Sequence, residues 1–428
     1  MKTLLRWFTL LFIFALPIGA KKFVVVLLPQ FFENAREFSS LFIYGTDIIA
    51  VLIIVFAVIH FRRTLFEEFA GSKILPIFVG LAAVSIVGAA NYSYAAYVFG
   101  GLLMGVLIAL AVGAMLRTDT IRFRDVAIAI GFSAFFQAVV ALLQFYYQKS
   151  IGLWFLGESV ITATTPGVAR VLIGGERYLR SYGTLPHANI LAGFLVLGII
   201  AIAYLFFTSA PEKKFARMVS AAGFFIILFA LILTFSRSGW IVGGGSVAAI
   251  LAYGIIRKEL RARAFRFLGV ALISLLILAY SLGWAIVPRA GFVKGEASVD
   301  HRIFYNEIGL SLLERHPLGV GEGNQVLQAV REGLYLSKGL NEVWLWQPVH
   351  NIYILIASEL GIPGLLLFLL FLFVLFKEME FKRTQAVFAS LLVISLLAFG
   401  LVDHFPWDLH AGRLMFWVAL GIMMGEQV

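Results

Sequence analysis

The chain has no cysteine and little charge. The first absence excludes disulfides, thiolate-held iron–sulfur clusters and thiol catalysis. The second excludes a soluble globular protein: 14% of the 428 residues are charged and 61% apolar, whereas soluble domains carry about a quarter charged residues. Also missing are an H-E-x-x-H pattern, a Walker A loop and a dinucleotide fingerprint, so no cofactor is expected and no nucleotide bound on this chain is expected to supply energy. No internal repeat or low-complexity tract interrupts residues 1–428, which read as a single integral membrane domain.

What the chain does have is apolar length. Mean hydropathy is +0.95, and runs long enough for a hydrocarbon core, which takes about 20 helical residues, recur throughout. Twelve candidates lie near residues 4–20, 41–59, 74–90, 95–115, 125–147, 188–208, 217–234, 239–256, 266–288, 352–376, 384–402 and 412–425. Open strands in lipid would leave backbone groups without partners, so the expected fold is all-α, a polytopic transmembrane helical bundle of about twelve spans.

Basic residues set the orientation. The connections RRTLFEEFAGSK, LRTDTIRFR, EKKFAR, RKELRARAFR and KEMEFKR fall on alternate turns, and each holds at least three Lys or Arg. The positive-inside rule puts them, and both termini, in the cytoplasm. The net charge of +10 is then a topology signal, and no nucleic-acid partner is expected. The first helix is expected to be retained, because Ile18 stands where a signal-peptidase site wants a small residue.

The two longest outward connections are about 148–187 and 289–349. The second precedes the tenth span and is expected to be a partly helical extracytoplasmic elaboration carrying part of the active site. Within it IFYNEIGLSLLERH has helical apolar spacing, and LGVGEGN reads as a glycine-rich turn.

Four groups of residues carry potential chemistry. Arg237, in TFSRSGW, is alone in a very short outward turn between two apolar runs, where a buried arginine faces a cavity and an interfacial one snorkels to headgroups. Arg302 is either a bidentate phosphate ligand or a surface partner of Asp300 or Glu307. His350 opens HNIYILIASELGIPG and is either a general base or an interfacial anchor; Gly361, Pro363 and Gly364 are expected to break or kink the helix that follows. RSYGTLPHAN and DHFPWDLHAGR mix His, Asp, Arg and aromatics at outward helix ends. The second is read as an aromatic-belt anchor in preference to a metal site built from His404, His410, Asp403 and Asp408.

Taken in order, RSYGTLPHAN, TFSRSGW, DHRIFYNEIGLSLLERHPLGVGEGN and HN-x9-GxxG resemble the O-antigen ligase and polymerase superfamily of membrane glycosyltransferases over roughly residues 180–412. His350, Asn351, Gly361 and Gly364 match the ligase motif H-[NSQ]-x9-G-x-x-G residue for residue.

The resemblance implies metal-independent, inverting transfer of a glycan from a polyprenyl (undecaprenyl) diphosphate carrier to lipid A-core or another envelope acceptor, at the outer face of the cytoplasmic membrane. It implies that Arg237 and Arg302 grip the pyrophosphate and that His350 activates the acceptor hydroxyl. Arg180, Asn189 and Asn351 match family positions near the same mouth, where they either bind substrate or brace the loop. A polymerase that extends the lipid-linked glycan shares these features, and a transporter is the rival from another class.

Overall fold

The computed structural model of the chain describes residues 2–26, 39–210, 212–291 and 297–427. In chain order the helices are α1 (Lys2–Ala15), α2 (Gly45–Gly71), α3 (Ile74–Ser85), α4 (Tyr92–Arg117) and α5 (Phe123–Tyr147). Next come α6 (Ala188–Thr208), α7 (Lys214–Leu233), α8 (Arg237–Ile256) and α9 (Arg261–Ala290). The long loop holds α10 (Ala297–Arg315), α11 (Gln325–Arg331) and α12 (Leu334–Ser337), and α13 (Ile352–Lys377), α14 (Thr384–Gly400) and α15 (His410–Gly425) follow it.

A helix stands at each of the twelve apolar runs, but they are not twelve equal spans. Among the described residues eight helices are long and apolar enough to cross a membrane: α2, α4, α5, α6, α7, α8, α9 and α13. The apolar helices at 74–88 and 384–400 are shorter. α1 has 14 residues and α15 has 16, below the length a full span needs. α1 stops short of its apolar run because Pro17 follows it, and a proline is incompatible with continued helix just before it.

The all-α expectation is corrected at two places. β1 (Lys21–Val26) pairs antiparallel with β2 (Ser40–Tyr44), and β3 (Arg170–Ile173) with β4 (Glu176–Leu179). The ban on open strands applies only where lipid is the solvent. Both ribbons lie outside the apolar helices, and Gly174 and Gly175, at φ 59° and 87°, supply the left-handed pair that a two-residue hairpin turn needs.

The chain forms two compact units: Met1–Ala20 with Asp119–Val293 and Lys382–Leu396, and Lys21–Thr118 with Lys294–Phe381 and Leu397–Val428. In the first, α6 is buried along almost its whole length and packs on α5, α7 and α8. In the second, α15 is buried throughout and lies against α4. Gly101, Gly105, Ala109 and Gly113 recur every fourth residue on α4 and meet Arg413, Trp417 and Gly421 on α15. Side chains at those glycines would collide with the facing helix, so the stripe permits close backbone approach, the main source of helix association where both sides are apolar.

The segment after residue 297 has a core of its own. Tyr305, Ile308 and Leu312 of α10 pack with Val326, Leu327, Leu334 and Tyr335. The helical spacing read from IFYNEIGLSLLERH is α10, and LGVGEGN is a turn with Gly319, Gly321 and Gly323 at φ 88°, 93° and 73°.

Candidate functional site

The second unit places His350 immediately before α13. Asn351 is the N-cap: its side-chain oxygen accepts from the backbone N–H of Tyr353 (3.0 Å) and Ile354 (3.2 Å), two of the donors left over at any helix start. Its amide donates to the Leu401 carbonyl at 3.2 Å. Asn351 therefore has a structural task, fixing where the preceding histidine sits.

Nine residues into α13, Gly361 breaks the helix with φ 72° and ψ 179°, a region essentially reserved for glycine. The break frees carbonyls, and the glycine-rich turn takes them: Val320 N–H donates to Ser358 O (3.0 Å) and Gly321 N–H to Glu359 O (2.9 Å). In return Ile362 N–H donates to Pro317 O at 3.1 Å. Pro363 then falls in the first turn of the second half, where no backbone donor is needed. A Cβ at Gly364 would strike the Leu360 side chain. Gly361 is thus the lock between the loop turn and α13, while Gly364 makes room for Leu360 within α13.

His350 Nδ1 lies 2.9 Å from the Pro348 carbonyl. A carbonyl only accepts, so Nδ1 carries the hydrogen and Nε2 has the lone pair that can receive a proton. The ring stacks on Tyr305 of α10 (centroids 5.1 Å, 22°) and meets His404 edge-on (4.7 Å, 67°). Burial pushes the His350 pKa well below 6.5; the charges of His404 and Arg302 act in the same direction and Asp403 opposes them. His350 is consequently neutral at physiological pH. Arg302, also on α10 and one-third exposed, is 3.9 Å from Asp403. That is a loose pair which leaves guanidinium donors for another anion.

DHFPWDLHAGR does not form an aromatic belt. Asp403, His404, Phe405 and Trp407 are buried, with Trp407 packed between Phe78 and Phe368. Nor does it converge on a metal: among the described residues no group of three or more His, Asp or Glu side chains is placed to hold one. His404 Nδ1 pairs with both Asp408 oxygens (2.7 and 2.9 Å), while His410 stacks on Tyr44 and contacts Thr46 Oγ1 at 2.8 Å.

The first unit holds Arg180, Asn189 and Arg237. Buried Arg180 donates to the Thr234 carbonyl (2.6 Å) and to Asn189 Oδ1 (2.7 Å), tying the 180–189 loop to the turn before α8. The same loop hangs from α5, where Gln144 Oε1 accepts from Tyr182 and Gly183 and Gln137 Oε1 from Thr184. These bonds hold Arg180 and Asn189 to each other and to the turn before α8. Arg237 is the first residue of α8, part-exposed after the N-cap Ser236, and donates to the Gly291 carbonyl at 3.2 Å. It therefore sits at the positive end of a helix dipole, a place suited to anions.

Residues 222–369, which include Arg237, Arg302, His350, Asn351, Gly361 and Gly364, match the family model for O-antigen ligase. This segment is similar to O-antigen ligases. No curated protein matches the chain. The similarity is confined to this segment, and the eight long apolar helices agree with a helical multi-pass membrane protein. Asp403, His404 and Asp408 lie beyond the matched segment and join His350 through the fold; the only trace of the His404–Asp408 pair in the sequence is its spacing of four residues.

Proposed function

We propose that the protein transfers a glycan from a polyprenyl diphosphate carrier to an acceptor hydroxyl, lipid A-core or another envelope glycan, at the outer face of the cytoplasmic membrane, with both termini in the cytoplasm. The observation that carries this reading is the neutral His350 with Nε2 open to a proton, close to the loosely paired Arg302. In the proposed step Nε2 takes the acceptor O–H proton while the oxygen bonds to the anomeric carbon. The bond from that carbon to the phosphate oxygen breaks, its electron pair stays on the polyprenyl diphosphate, and the configuration inverts. Arg302 steadies the leaving pyrophosphate, whose charge is what the site must stabilise. The glycosyl–pyrophosphate bond that breaks stores the driving force, because pyrophosphate is a good leaving group, so orientation, a cationic clamp and one base are enough. The part of Arg237 in holding a phosphate, and substrate contacts by Arg180, Asn189 and Asn351, rest on the family resemblance.

Purified protein in lipid discs, offered polyprenyl-diphosphate glycan with and without candidate acceptors, tests the reading. A single capped product is expected only when acceptor is present; a growing ladder without acceptor assigns the polymerase activity instead. His350→Ala is expected to abolish transfer while the protein stays folded, and near-normal transfer by that variant removes the base. Arg237→Lys is expected to lose activity, since a point charge cannot reproduce a bidentate grip.

A further inference from the structure

We propose that His404, held by Asp408, is a positioning residue that keeps the His350 imidazole neutral while an anionic donor is bound; this rests on the reading of His350 as the base. The two histidines face each other with ring centroids 4.7 Å apart, and their partners differ. His404 Nδ1 has both oxygens of a carboxylate, at 2.7 and 2.9 Å, and His350 Nδ1 has the carbonyl of Pro348. A carboxylate favours the imidazolium form far more than a neutral carbonyl does. The first proton to enter the pair therefore goes to His404, and a second on His350 must overcome repulsion at close range with little water between, His404 being 7% exposed.

The surroundings make this useful. A pyrophosphate arriving at Arg302 brings negative charge that pulls a proton onto any nearby imidazole, which would silence the base. From α10, Arg302 and Tyr305 face His350, and only Arg302 is a cation. Asp403, in the same turn as His404, acts the wrong way by favouring protonation of His350. Tyr94 of α4 and Glu359 of α13 lie within electrostatic reach of Asp408 and neither is cationic. Of the groups facing His350, the cation that counters both Asp403 and the substrate besides Arg302 is His404, and its charge depends on Asp408.

The test is the pH dependence of kcat at saturating donor, alongside kcat/KM, for full-length protein in lipid discs, comparing wild type with His404→Gln, Asp408→Asn and His350→Gln. Removing a like charge about 5 Å away raises the His350 pKa by roughly one to two and a half units over the effective dielectric constants of protein sites. The acid limb is expected to move up in pH by about that amount in His404→Gln and by less in Asp408→Asn, which removes the carboxylate charge together with the imidazolium it supports. A merely structural role would lower the rate without moving the limb. The 15N titration of His350 reads the same shift without turnover, and Asp408→Asn is nearly isosteric. An unmoved limb and an unmoved 15N midpoint overturn the inference if His350→Gln is inactive. Activity retained by His350→Gln overturns the inference together with the base reading, so the two failures are distinguishable.

Discussion

Gly361→Ala is the substitution whose cost the structure specifies best. The residue holds φ 72° and ψ 179°, a conformation that costs an L-residue about 1–3 kcal/mol. An added methyl would also lie 2.5 Å from the Leu318 carbonyl carbon and 2.7 Å from Pro317 O. Those atoms are backbone, pinned by the bond from Ile362 N–H to Pro317 O, and cannot swing aside. Overpacking of this kind adds about 1–3 kcal/mol, for a total near 2–6 kcal/mol. The lesion also separates the 317–321 turn from α13, whose first half carries His350 at its entrance. Gly244→Ala is the control, because nothing lies within 4 Å of its added methyl and its helical backbone is ordinary; it is expected to change stability by less than about 1 kcal/mol. Reversible unfolding in detergent, read by helical circular dichroism, measures both, alongside transfer activity. Gly361→Ala with wild-type stability and wild-type activity refutes the claim that Gly361 locks turn and helix.

Three further expectations follow from the same geometry. The base must be neutral to act and its folded pKa lies below 6.5, so the acid limb of kcat/KM in the wild type is expected below pH 6.5; a limb at or above that value contradicts the effect of burial. Burial raises the Glu322 carboxyl to about 8, against the opposing charge of Arg413, so the folded protein keeps a proton that the unfolded chain releases and stability falls as pH rises from 4.5 to 8. Glu322→Gln cannot ionise, and its stability relative to wild type is expected to grow by up to about 5 kcal/mol across that interval, measured by denaturant unfolding at both pH values. Gly105→Val drives a side chain into the Trp417 indole and is expected to destabilise by about 1–3 kcal/mol, whereas Gly100→Ala, with open space around it, is expected to leave the melting temperature nearly unchanged.

Much of the helical architecture was legible because lipid imposes one rule on every segment it contains. The apolar runs had to become helices, and all twelve did, although α1, α3, α14 and α15 came out short. Hydropathy has no view of helix ends decided by a single proline, as at Pro17, or of ribbons formed outside lipid. The interruption at Gly361 was readable because glycine and proline act locally on φ and on the backbone donor. What that interruption locks onto, the turn at 317–321, was not readable, since the partner is some forty residues earlier in the chain.

The candidate site divides in the same way. Sequence spacing marked His350, Gly361 and Gly364, and the position of Arg237 between two apolar runs marked it, because these are local requirements; Arg302, Arg180, Asn189 and Asn351 were marked only through the family resemblance. Tertiary structure alone decided that Asn351 caps α13, that Arg180 and Asn189 brace each other, and that DHFPWDLHAGR is buried beside His350 instead of anchoring at an interface. It also decided which nitrogen of His350 is open to a proton. The reason is physical: backbone conformation is set largely by neighbours in sequence, whereas a side chain's charge state and hydrogen-bond partners are set by neighbours in space.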